Sequence, residues 1–158
     1  MKKLLFGLLL LLGACGFSPL YKEVMNSDEN VSVKVAPIPE QYGSEMRKII
    51  QGKMGISEAP LYTLTVSAPT FSSRDQTIDS KNFATMMWIR GSVSYKLTEN
   101  KTEKILINTS TSLGSSYSVV KDPYATTVAE RKVKKELAEQ LAEQISIHIL
   151  SVLAGVDK

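Results

Sequence analysis

The chain of 158 residues contains one cysteine and one histidine. A single Cys excludes an intramolecular disulfide framework and any zinc site built from several thiolates. A single His, His148, leaves little for metal chemistry. It lies near the edge of an apolar helical stripe, so it reads as a partly buried structural residue. No Gly-rich phosphate loop, HExxH or GxSxG motif occurs. Gly91-Ser92 and Gly114-Ser115 fall inside apparent strands, where a bulge or a close backbone approach accounts for them. Glu136, Glu139 and Glu143 read as a solvated helix face beside Lys132 and Lys135. The sequence therefore gives no reason to expect an enzyme or a cofactor. No internal repeat, low-complexity tract or linker divides the chain, and its length suits one domain.

Long apolar runs are also scarce, with one exception at the N-terminus. Met1-Lys2-Lys3 precedes an apolar stretch from Leu4 to Leu12, followed by small residues. This is the pattern of a secretory signal, and the stretch is shorter than the roughly 20 residues a spanning helix needs. Leu12-Gly13-Ala14-Cys15 resembles a bacterial lipobox. In that chemistry the Cys thiol receives a diacylglyceryl group, the peptide is cut before it, and the new amine is acylated. The alternatives are a plain signal peptide with an incidental Cys, or a short buried apolar segment. Under the lipobox reading, residues 1–14 are the signal, residues 15–30 a tether and residues 31–158 one α+β domain.

The formal charge of +3 changes meaning under that reading. Without Lys2 and Lys3 the remaining 144 residues carry 17 basic and 16 acidic side chains, a net of +1. Acyl chains on Cys15 make a firm membrane anchor, since two chains already suffice. In lipoproteins of double-membrane bacteria an Asp after the Cys commonly retains the protein in the inner membrane. Gly16 stands there instead, which implies the outer membrane and its periplasmic face.

Downstream, Val31, Val33 and Val35 alternate with polar residues, the period of a half-buried strand ended by Pro37 and Pro39. From about Glu40, Met46, Ile49, Ile50 and Met54 recur at helical spacing, and Gly55 suits a C-cap. Leu61 to about Ser73 predicts a second strand, and Arg74 to Asn82 a polar turn. In the third strand, Phe83 to Leu97, one face carries Met87, Ile89, Val93, Tyr95 and Leu97. The other carries Trp88, Arg90, Ser92, Ser94 and Lys96. A hairpin turn at Glu99 to Lys101 leads into Ile105 to Tyr117, with Ile105, Ile107 and Leu113 in register.

The last segment is a long amphipathic helix on Val133, Leu137, Leu141, Ile145 and Ile149. Asp122-Pro123 supplies a cap and first helical residue, and a capping box at Thr127 offers a later start. The order β-α-β-β-β-α predicts a two-layer α+β sandwich, two helices on one face of a four-stranded sheet.

The stretch Thr109 to Ser118 is rich in hydroxyls and carries no charge. Edge strands usually carry Lys, Pro or a bulge as protection. Ordinary strand surface explains it, as does a wall enclosed by a partner, with Thr109, Thr111 and Ser116 as candidate contacts. Ile147 and Leu150 lie off the apolar helical stripe, and paired outward apolar residues favour a partner interface.

Cys15-Gly16-Phe17-Ser18-Pro19-Leu20-Tyr21 resembles the Cys-Gly-Phe-x-Pro-Leu-Tyr opening of the LptE family of lipopolysaccharide-assembly lipoproteins, in its alphaproteobacterial form. The resemblance continues through the Val31 strand and the Glu40 to Met54 helix, and into Glu136-Leu137-Ala138-Glu139-Gln140-Leu141. It implies an outer-membrane plug in the LptD β-barrel, aiding that barrel's assembly and the insertion of lipopolysaccharide into the outer leaflet. It also implies lipopolysaccharide binding, for which Arg74, Lys81 and Lys121 are the candidate cations against phosphates. The bland alternative for each is an ordinary solvated charge. A different function class remains open, a periplasmic lipoprotein that carries a lipid or other hydrophobic ligand in an apolar cavity. Nucleic acid is a poor partner for a near-neutral domain. Replacing Cys15 by Ala is expected to abolish incorporation of labelled palmitate and to leave the leader uncleaved, read by autoradiography and mass spectrometry.

Overall fold

A computed structural model describes residues 32–54, 58–78 and 84–156. Cys15, Gly55 and Lys81, together with the signal and tether segments, lie outside the described residues. The described chain runs β1 (Val33–Val35), α1 (Gly43–Lys53), β2 (Tyr62–Val66), β3 (Thr70–Ile78), β4 (Ala84–Glu99), β5 (Ile105–Ser118) and α2 (Pro123–Val156). The α+β class and the two helices match the expectation. The sheet has five strands rather than four.

The extra strand has a local cause. β4 is 16 residues long, and both β2 and β3 pair antiparallel along the same edge of it. Val66 pairs with Tyr95 and Thr70 with Ser92, so three residues, Ser67 to Pro69, oppose two. This is a bulge, and Pro69, which has no N–H to donate, sits in it. Ser67 keeps the ladder connected there. Its N–H donates to the Ser94 carbonyl at 2.8 Å, and its Oγ accepts from the Ser94 N–H at 3.0 Å. The predicted second strand is thus two strands in one lane.

The expected turn from Arg74 is also strand, since β3 continues to Ile78. Pairing with β4 recruits this polar segment through its backbone, which needs no apolar side chains. Two register shifts, between Asp75 and Thr77 and between Thr77 and Ile78, interrupt its end. On the other side of β4, β5 pairs continuously from Ile107 to Ser118. A shift at Leu97/Thr98 turns Ile105 outward to 52 % exposure, so Leu106 packs against the core in its place.

α2 begins at Pro123, with the Tyr124 N–H donating to Asp122 Oδ1 at 2.9 Å. The later start at Thr127 does not occur, and the Thr127 hydroxyl instead donates to the Pro123 carbonyl at 2.9 Å. One stripe of α2, Leu141, Ile145, Ile149 and Leu153, buries against Val93, Tyr95 and Leu97 of β4 and against Met46 and Ile50 of α1. A smaller cluster, Ile89, Tyr117, Val133 and Leu137, continues the core toward the far end of the sheet. Lys53 and Glu143 join the helices by an ion pair of 3.3 Å, exposed enough to contribute little.

Two glycines set close approaches. A Cβ at Gly91 would press Phe71 at 3.1 Å and Leu141 at 3.3 Å, so its absence lets α2 settle on β4. At Gly43 a Cβ would enter the space of the Ile38 carbonyl, where the Gly43 N–H donates to the Glu40 carbonyl at 3.1 Å. Gly43→Ala is expected to destabilise the fold by about 1–3 kcal/mol. Gly52→Ala, with open space around it, should be neutral or stabilising by roughly 0.5–1 kcal/mol. Urea denaturation of the two variants checks the contrast.

Candidate functional site

Alternation along the strands gives the sheet two unlike faces. Residues such as Ile89, Val93, Tyr95 and Leu97 point toward the helices, and their neighbours point to the opposite, uncovered face. The register aligns that uncovered face in rows. Arg74 pairs with Trp88 and Trp88 with Ser116; Ser72 pairs with Arg90 and Arg90 with Gly114. Thr70, Ser92 and Ser112 form the next row, and Thr65, Lys96 and Asn108 a further one. The Thr70 and Ser92 hydroxyls hydrogen-bond at 2.9 Å, confirming that they share the face.

Among the described residues these rows carry three cations, Arg74, Arg90 and Lys96, and no carboxylate. None of the three makes an ion pair among the described residues. Within these rows their positive field is therefore not cancelled by a neighbouring acid.

Trp88 is the single tryptophan. Its indole lies against the Gly114 backbone, where a Cβ would collide with the six-membered ring. A glycine diagonal to an aromatic on the neighbouring strand is a known packing pair, the ring covering the exposed backbone. It accounts for Gly114 inside a strand and fixes the indole as a half-buried apolar plate between the Arg74 and Arg90 rows.

The positions singled out from the sequence scatter over this frame. Arg74 stands on the uncovered face, in a strand rather than a turn. Lys121 is exposed between β5 and α2, at the same end of the sheet as the Arg74 row. Ser116 is exposed on the uncovered face beside Trp88. Thr109 and Thr111 pair with Tyr95 and Val93 and so belong to the helix side, where Thr111 donates to Gln144 Oε1 at 2.8 Å. Ile147 is 59 % exposed, whereas Leu150 is partly buried and packs against the main core. The hydroxyl-rich stretch is therefore two faces, not one. Arg90 and Lys96 belong with Arg74, and their signal was the alternation Trp88, Arg90, Ser92, Ser94, Lys96.

His148 is exposed, contrary to the partly buried expectation, although its Nδ1 shares a 2.6 Å hydrogen bond with the Tyr95 hydroxyl. The two rings meet edge to face at 5.9 Å. Burial raises the Tyr95 phenol above its ordinary pKa. Tyr117 is raised as well, by burial first and then by Glu130, with Lys134 opposing. A cleft of about 300 Å³ lies between the Glu40–Tyr42 turn, Phe71 and α2, rimmed by Arg131 and Lys134.

No family model matches the chain, and no curated protein matches it. Solved structures do. Rare lipoprotein B from Shewanella oneidensis superposes with a TM-score of 0.66 at 11 % identity, over 80 % of this chain and 98 % of that one. A chain described as a lipoprotein of Caulobacter crescentus CB15 gives 0.58 at 19 % identity, over 87 % and 97 %. A minor lipoprotein from Acinetobacter baumannii gives 0.57 at 15 %, over 77 % and 92 %. The likeness is one of fold, and it extends over nearly the whole of each of these bacterial lipoproteins.

Gly114→Ala is expected to lift Trp88 off the sheet, moving its fluorescence to longer wavelength and costing about 1–3 kcal/mol. Emission spectra and urea melts of the variant beside wild type check both effects.

Proposed function

We propose that this protein is an outer-membrane lipoprotein, anchored through acyl chains on Cys15, that works in lipopolysaccharide assembly as the plug of an LptD-like β-barrel. The observation that carries this reading is the uncovered sheet face. Its described rows are lined by hydroxyls, hold Arg74, Arg90 and Lys96 without a carboxylate, and centre on the Trp88 plate. Such a surface suits a phosphorylated glycolipid: the guanidinium groups meet phosphates, hydroxyls meet sugar hydroxyls, and the indole meets a sugar ring. It also suits the polar interior of a barrel, since hydroxyls and cations lose less than apolar groups would when another polar wall encloses them.

The fold shared with bacterial lipoproteins and the Cys15 to Tyr21 opening support the same assignment. The carrier alternative is less well served. Among the described residues the apolar faces of sheet and helices are spent on each other, and the cleft of about 300 Å³ beside Tyr42 and Phe71 is rimmed by Arg131 and Lys134. Catalysis forms no part of this reading.

Tagged full-length protein, extracted from outer membranes in mild detergent, is expected to bring down a much larger β-barrel; recovery without one would sink the plug assignment. Arg74→Ala/Arg90→Ala protein should bind purified lipopolysaccharide about tenfold more weakly or worse, as two charge-assisted contacts are removed. Lys121→Ala serves as the comparison on the same end of the sheet. Binding by the double variant equal to wild type would remove lipopolysaccharide from that face.

A further inference from the structure

The sheet has three outer edges, and they are not treated alike. β1 offers only three residues, Val33–Val35. The outer edge of β3 carries Arg74 and Asp75 and is broken by two register shifts. Shortness, charge and irregularity are the usual means of keeping an edge from pairing. β5 has none of them. Its 14 residues include no Asp, Glu, Lys, Arg or Pro, and it pairs without interruption from Ile107 to Ser118. Among the described residues only β4 pairs with it, and no described strand meets the backbone N–H and C=O groups of its other edge.

The flank of α2 tied to β5 is uncharged as well. Gln144 of α2 bonds to Thr111 of β5, which places that flank of the helix over the strand. Gln140, Gln144, Ile147 and Ser151 recur along the flank at helical spacing, all of them exposed, with Ile147 at 59 %. The strand edge itself carries no charge, and the helix flank tied to it presents Gln140, Gln144 and Ser151, with Ile147 further round toward solvent beside Glu143.

We infer that this surface pairs with the same surface of a second copy of the chain, β5 against β5, antiparallel about a two-fold axis through Ser112. The sequence of β5 is self-complementary in that register. Ser112 faces Ser112, Ser110 faces Gly114 and Asn108 faces Ser116 on the uncovered side. On the helix side Thr111 faces Leu113, and Ile107 faces Tyr117. No like charges meet, so the repulsion that usually defeats self-pairing is absent. The two sheets join into one, and the helix layers, held over β5 through Gln144, lie on the same side of it, an isologous interface of the commonest kind. The inference concerns the free protein, before any barrel encloses it, and it stands whether or not the barrel reading does.

Full-length protein purified without partners, in detergent with micelles in excess over protein, provides the test. Light scattering is expected to give about twice the protomer mass for wild type and a single protomer for Ser112→Lys/Ile147→Glu. Amide hydrogen exchange should slow across residues 105–118 in wild type and speed up there in the double variant. Residues 86–92, paired on both sides within one protomer, should stay equally protected and so report an intact fold. Wild-type protein of single-protomer mass overturns the inference. So does a dimer that survives the double substitution, because it would be held together elsewhere.

Discussion

The burial of one stripe of α2 against the middle of β4 is the interaction on which the rest of the molecule depends. Leu141, Ile145 and Ile149 are fully buried there over Val93, Tyr95 and Leu97, and α1 is held against the same helix through Met46 and Ile50. Each such side chain contributes about 1.5–3 kcal/mol on leaving water. Gly91 permits the approach by having no side chain where Leu141 and Phe71 converge. Because both helices are drawn to one side, the other side of the sheet must face outward. A strand whose residues alternate then has to supply apolar groups inward and a polar, solvated surface outward.

That constraint separates the chemistry of the molecule into independent regions. Among the described residues the rows of the outward face gather cations, hydroxyls and one indole, with no acid in them. The outer edge of β5 belongs to neither face, because its binding groups are backbone amides and carbonyls. A side chain on the uncovered face can therefore change without altering the edge's hydrogen bonding. The charge distribution follows the same division, with the carboxylates of α2 on its solvated side in ion pairs with Lys132, Lys134 and Lys135.

Much of the fold was legible because its strongest elements have a clear period. β4 and β5 start and end within a residue or two of where alternation places them, and α2 starts at the earlier of its two expected positions, Pro123. β3 was not legible as strand, since Ser72, Ser73, Arg74, Asp75, Gln76 and Thr77 carry no apolar repeat. Only its neighbour β4 makes it a strand. The site was half legible. Trp88, Arg90, Ser92, Ser94 and Lys96 shared a face on inspection, but joining Arg74 and Gly114 to them needs the register between strands. Thr109 and Thr111 went to the other face for the same reason: a hydroxyl-rich run conceals its own period of two. Ile105 left the core because one register shift next to the hairpin exchanged it with Leu106.

The Ser67–Pro69 bulge marks a division in the body as well as in the strand. On one side of it lie β1, β2, α1 and the large core; on the other, β3 and the outer halves of β4 and β5 rest, among the described residues, on the smaller buried cluster of Ile89, Tyr117, Val133 and Leu137. Free energy of local opening follows the amount of buried apolar contact. The half bearing Arg74 and Trp88 is accordingly the softer one, able to fray and reseat while the larger half stays folded. A binding surface placed there can adjust its curvature to what it meets at little cost to the whole.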